Sequence, residues 1–127
     1  MNKYGLAALK AVNYYETKKD PILAWKAAVK DVFTSKSSQD KGCPRSTFFS
    51  LCEVGAVKGI PKGNYAPRVK ENKVYALNAL EILKNRNKNP DNIGAVDLWN
   101  LAQNQDKKYN SQMDVVLALW NKNLINL

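Results

Sequence analysis

Between positions 41 and 73 the chain gathers Lys41, Arg45, Lys58, Lys62, Arg68, Lys70 and Lys73 around the ring of Tyr65. Such a mixture suits a nucleic acid. Ammonium and guanidinium groups neutralise phosphates, and an aromatic face accepts an unstacked base. Gly59 and Gly63 allow backbone N–H groups to approach an anion closely. Asn72 stands where it can cap a helix whose N-terminus faces the same loop. Residues 56–73, with the flanking helix ends, are therefore the candidate anion-binding site, and Lys41, Arg45, Lys58, Lys62, Tyr65, Arg68, Lys70 and Lys73 are its expected contacts.

Other chemistries find little support. The chain has no histidine, which removes His-based triads, Cys–His pairs and His-containing zinc sites. Its two cysteines, Cys43 and Cys52, cannot form a four-thiolate site. Nine positions apart on one helix, they would be separated by roughly 13 Å of rise, beyond disulfide reach. They read as two buried thiols in a reducing compartment. Glu53, Glu81, Asp97 and Asp114 fall on amphipathic stretches and read as solvated or helix-capping acids. Gly59-Ile60-Pro61-Lys62-Gly63 lacks the spacing of a phosphate-binding P-loop and follows no strand. The expectation is a protein that binds rather than catalyses, with no metal site and no cofactor.

The net charge is +9 and lies in the middle of the chain. Residues 1–33 carry six Lys against three acids, residues 34–90 eleven basic residues against four acids, and residues 91–127 three against four. A genome rich in Lys and Asn codons accounts for part of the excess but not for its placement. A concentrated positive field attracts anions. The apolar stretch Gly5–Leu9 is cut by Lys10, too short for a secretory h-region, and no run reaches the length of a membrane span. The expected location is the cytoplasm, with no membrane contact. Oligomeric state is not indicated.

Helices must carry these residues. Lys3–Glu16 places Tyr4, Ala7, Ala8, Ala11 and Tyr15 at helical spacing, its small residues inviting a close neighbour. Asp20 and Pro21 form a strong helix start, after which Ile22, Trp25, Val29, Val32 and Phe33 make a stripe. Thr34–Lys41 reads as a loop. A third helix begins near Pro44, buries Phe48, Leu51 and Cys52, and stops at Gly55. Periodicity then fails until about Asn72. The fifteen-residue gap is too long for the turn of a helix-turn-helix. A fourth helix carries Ala76, Ala79, Leu80 and Leu83, and a fifth spans about Asn92 to Asn104. The sixth begins at Ser111, whose spacing to Asp114 suggests a capping box, and ends at a left-handed Asn123. Val54–Ile60 is the nearest thing to a strand. The expected fold is all-α: a compact single-domain bundle of about five to six short helices with one long irregular basic loop, and Trp25, Trp99 and Trp120 in its core.

Several motifs resemble an uncharacterised family of small bacterial proteins. They are Lys41-Gly42-Cys43-Pro44, Leu51-Cys52-Glu53, Val57-Lys58-Gly59-Ile60-Pro61, Gly63-Asn64-Tyr65, Asn72-Lys73-Val74-Tyr75-Ala76 and the tail Ser111–Trp120. The resemblance covers almost the whole chain. It implies a bacterial source and a single domain, and carries no activity to transfer. The functional expectation rests on the residues: a basic helical module engaging an anionic partner, DNA or RNA, through loop 56–73. The alternative is a protein-interaction module or regulatory accessory subunit in a bacterial complex.

Overall fold

A computed structural model of the chain describes residues 2–65, 70–86, 93–103 and 108–126. Among these, seven helical segments are formed: α1 (Lys3–Lys18), α2 (Pro21–Val32), α3 (Lys36–Gln39), α4 (Gly42–Glu53), α5 (Lys70–Asn85), α6 (Ala95–Ala102) and α7 (Gln112–Asn121). The fold is all-α, as the periodicity of the sequence requires. Val54–Ile60, the nearest candidate for a strand, forms only an isolated antiparallel bridge between Val57 and Ile125, and among the described residues no strand extends it.

Helix starts and stops follow from local chemistry. Asn2 accepts from the Gly5 N–H and caps α1. Lys19 adopts a left-handed conformation that reverses the chain within two residues. Asp20 accepts from the Ile22 N–H, and Pro21 needs no acceptor at the first helical position. The resulting α1–α2 hairpin brings Ala7, Ala8 and Ala11 against a helix bearing Ala24 and Ala28, all fully buried. Absent side-chain bulk lets the two backbones approach closely. The polar stretch after α2 winds one turn instead of remaining a loop, because the Ser35 hydroxyl accepts from the Ser38 N–H. α4 begins two residues before Pro44, whose missing N–H is harmless within the first turn. At its end Gly55 has φ +76°, the Gly55 N–H donates to Cys52, and the Ala56 N–H donates to Leu51. This is a Schellman stop. α7 repeats it: Asn123 has φ +59°, its N–H donates to Trp120, and the Leu124 N–H donates to Leu119.

α7 contacts α1, α4, α5 and α6 and forms the centre of the bundle. Val115, Val116, Ala118, Leu119 and Met113 are all buried along it. The spacing predicts a stripe of Met113, Val116, Leu117 and Trp120; a helix with four neighbours buries more than one face, and Val115, Ala118 and Leu119 are buried as well. Trp120, expected in the core, is only half-buried. Trp25 and Trp99 are each 2% exposed. Trp25 stacks on Phe48 with centroids 5.2 Å apart, and Trp99 meets Tyr75 edge-on at 5.0 Å.

The start of α7 also departs from expectation. Ser111 is left-handed, with φ +68°, and makes no side-chain cap bond. Tyr109 takes its place: its hydroxyl accepts from the Asp114 N–H at 2.9 Å and donates to the Asp114 carboxylate. Burial first, and then the Asp114 carboxylate, push the Tyr109 pKa up, keeping the hydroxyl protonated. Tyr109→Phe is expected to lower stability by about 0.5–2 kcal/mol, the usual cost of a lost cap. Urea titration would measure it, and an unchanged midpoint would show that the phenol is dispensable as a cap.

Candidate nucleic-acid interface

Three helices and one loop residue enclose a groove of about 640 Å³. Each wall is a helical stripe. From α2 come Ile22, Trp25, Lys26, Val29 and Lys30, at steps of three and four residues. Gly42, Arg45, Ser46 and Phe49 form the same pattern along α4. Lys36, Gln39 and Asp40 close one end, and Tyr65 joins from the loop after α4. Among the described residues, the lining thus sets four cations, Lys26, Lys30, Lys36 and Arg45, around the exposed Ile22 and the buried Trp25, Val29 and Phe49, and its one carboxylate is Asp40.

The elements around the groove hold it in shape. Gln39 donates to the Phe33 carbonyl at 2.8 Å, tying α3 back to the end of α2. Tyr4 donates to the Ser38 carbonyl at 2.9 Å and joins α3 to α1. Lys36 pairs with Asp40 at 3.0 Å across one exposed helical turn. Exposed pairs of this kind contribute little to stability, so Lys36 can exchange its carboxylate for a ligand phosphate at small cost. Tyr65 donates to the Pro61 carbonyl at 2.6 Å. Its ring lies so close to Gly63 that a Cβ there would sit 2.9 Å from it. Glycine at 63 therefore sets the position of the tyrosine as well as the course of the loop.

Of the contacts expected from the sequence, the structure brings Arg45 and Tyr65 together in this groove. The others lie elsewhere. Lys41 holds its ammonium 5.5 Å from the centre of the Tyr4 ring, a cation–π contact. Lys73 faces the Glu53 carboxylate at 3.9 Å. Lys58 and Lys62 are exposed on the turn that follows α4. That turn is anchored: the Lys58 N–H donates to Leu124, the Asn126 N–H to Ala56, and the Asn126 side-chain amide to Gly55, each within 2.9 Å. Val57 and Ile60 are buried beneath it. Arg68 and the side chain of Lys70 lie outside the described residues. No helix forms within Ala56–Ile60, so a helix-turn-helix is absent there.

Sequence reasoning missed Lys26, Lys30 and Lys36. The signal was present in α2, where Ile22, Lys26 and Lys30 recur every four residues beside Trp25 and Val29. Ile22, expected in the buried stripe, is 44% exposed and lines the groove. Pro21, Ala24 and Ala28 take the buried face instead. α2 is rotated toward α1 because its small residues meet the alanines of that helix.

Both thiols are free. Cys52 is fully buried, and desolvation pushes its pKa up. Cys43 is partly exposed. A disulfide-exchange reagent is expected to titrate Cys43 in the native protein and Cys52 only after denaturation, since the thiolate is the reacting form. Equal rates for both would contradict this packing. Among the described residues, no group of three or more metal-ligating side chains occurs, and no helix is long and apolar enough to cross a membrane.

Fold and groove together define a small all-helical protein with a concave basic surface. The chain belongs to a family of unknown function, DUF6979, whose profile matches residues 1–126. That agrees with the resemblance of its motifs to an uncharacterised family. Nothing among curated proteins or solved structures matches it.

Proposed function

We propose that this protein is a binding module for a nucleic acid, seated in the groove between α2 and α4. One observation carries the reading: Lys26, Lys30, Lys36 and Arg45 surround a groove lined by Ile22 and the ring of Tyr65, with Asp40 as the one opposing carboxylate among the described residues. Phosphates pair with the four cations, and the sugar and base rest on the apolar lining. Loop 56–73 contributes Tyr65 directly, while Lys58 and Lys62 add to the field from outside the groove. A bacterial cytoplasm is part of the same proposal, and two free thiols suit such a reducing compartment. The test is a titration with a labelled oligonucleotide at several salt concentrations. Affinity is expected to fall steeply as salt rises, through loss of counterion release. No binding at low ionic strength would reject the proposal.

A second reading, an accessory subunit that engages another protein, draws on different residues. Val74 and Leu77 on α5, and Val96 and Leu101 on α6, are between 40% and 57% exposed. α5 and α6 pack against each other. This reading would move to the front if the groove bound no nucleic acid.

A further inference from the structure

Resting on that reading, we infer that the groove takes unpaired nucleotides, so that the protein binds nucleic acid as a single strand and discriminates against duplex. Shape is the first argument. A duplex is a convex rod read by a protruding helix or ribbon that enters its major groove. Here the cations lie around a concavity, with Lys26 and Lys30 on one wall and Arg45 on the facing helix. A rod meets the rims of such a groove, whereas a flexible strand can descend into it.

Size and lining are the second argument. At about 640 Å³ the groove falls within the range of sites that enclose a small molecule. It is suited to a nucleotide or two and not to a stacked helix. Its lining offers the exposed side chain of Ile22 and the partly exposed ring of Tyr65, with Trp25 and Phe49 buried beneath them. A partly exposed tyrosine ring inside a cationic groove suits a ligand whose bases are free to leave the stack. A poly-acidic peptide would satisfy the charges and leave that ring without a planar partner. Tyr65 is the side chain best held for stacking, because Pro61 and Gly63 fix it before any ligand arrives. Preorganisation spares the complex the entropy of ordering that ring.

The test compares four ligands of equal formal charge against the 127-residue chain in one low-salt buffer: an oligothymidylate, a duplex, an abasic sugar-phosphate strand and poly-glutamate. Oligothymidylate is expected to bind at least tenfold more tightly than each of the others, since stacking of a base on an aromatic ring contributes on the order of tenfold or more. Tyr65→Ala should erase most of that advantage and leave the affinity for the abasic strand unchanged. Duplex, abasic strand or poly-glutamate binding as tightly as oligothymidylate to the wild-type protein would overturn the inference. Tight duplex binding would still leave the nucleic-acid reading standing. Failure of every nucleic acid to bind would end both. The wild-type comparison decides the matter even if Tyr65→Ala does not fold.

Discussion

Trp25→Ala and Trp99→Ala are each expected to cost about 3–5 kcal/mol of stability, and Trp120→Ala less than half as much. Truncating a fully buried tryptophan loses its transfer free energy and leaves a cavity that neighbours refill only in part. Trp25 and Trp99 meet that condition, at 2% exposure each. They also lose aromatic partners, Phe48 for Trp25 and Tyr75 with Tyr109 for Trp99. Trp25 additionally buries an indole N–H that has no acceptor among the described residues. This offsets part of its contribution, so the Trp25 variant should fall toward the lower end of the range. Trp120 is half-buried at the edge of the core, and solvent takes up much of the space it vacates. Denaturant titration of the three variants would measure the order. A loss at Trp120 equal to that at Trp99 would mean that its exposed edge is irrelevant to its packing.

Replacing Lys26, Lys30, Lys36 and Arg45 together by Gln is expected to weaken nucleic-acid binding by well over tenfold. The slope of log affinity against log salt should shrink by about three, as four single-strand phosphate contacts would give. The control removes the same charge elsewhere: Lys10, Lys18, Lys84 and Lys122 replaced together, none of which lines the groove. A diffuse attraction to the +9 chain would weaken both variants equally. A site responds chiefly to the first. Lys26, Lys30 and Lys36 are exposed and Arg45 partly so, and among the described residues their one ion pair is the exposed Lys36–Asp40 contact. The substitutions should therefore leave the melting temperature nearly unchanged, and any loss of binding is then a loss of contacts. Equal losses in the two variants would remove the groove as the interface.

Within α2 the two experiments address different faces. Trp25 and Val29 face inward from the same helix that presents Lys26 and Lys30 to the groove. The packing of α2 on α1 and α4 thus aims its cations, and the apolar side chains beneath them connect fold to site.

Local chemistry made much of this protein legible from its sequence. The Asp20–Pro21 start, the glycine stop at Gly55, the left-handed Asn123 and the all-helical class need only neighbours a few residues away, and each is found in the structure. The positive charge of the central segment and the absence of histidine are likewise properties of composition. Which cations stand together is a different matter. Arg45 and Tyr65 were identifiable as basic and aromatic candidates, but their companions Lys26 and Lys30 precede Arg45 by fifteen or more positions on another helix. Lys41, four positions before Arg45, and Lys73, eight after Tyr65, are drawn away to Tyr4 and Glu53. The rotation of α2 about its axis made the difference. It was set by alanines of α1 meeting alanines of α2, a long-range fit that turned Ile22 outward and Lys26 and Lys30 toward α4. In the same way Ser111 carried the pattern of a cap, yet Tyr109 caps α7, because the backbone at Ser111 is left-handed and the phenol reaches the Asp114 N–H first. Sequence spacing governs what a residue can do within its own helix, and only packing between helices decides which residues share a groove.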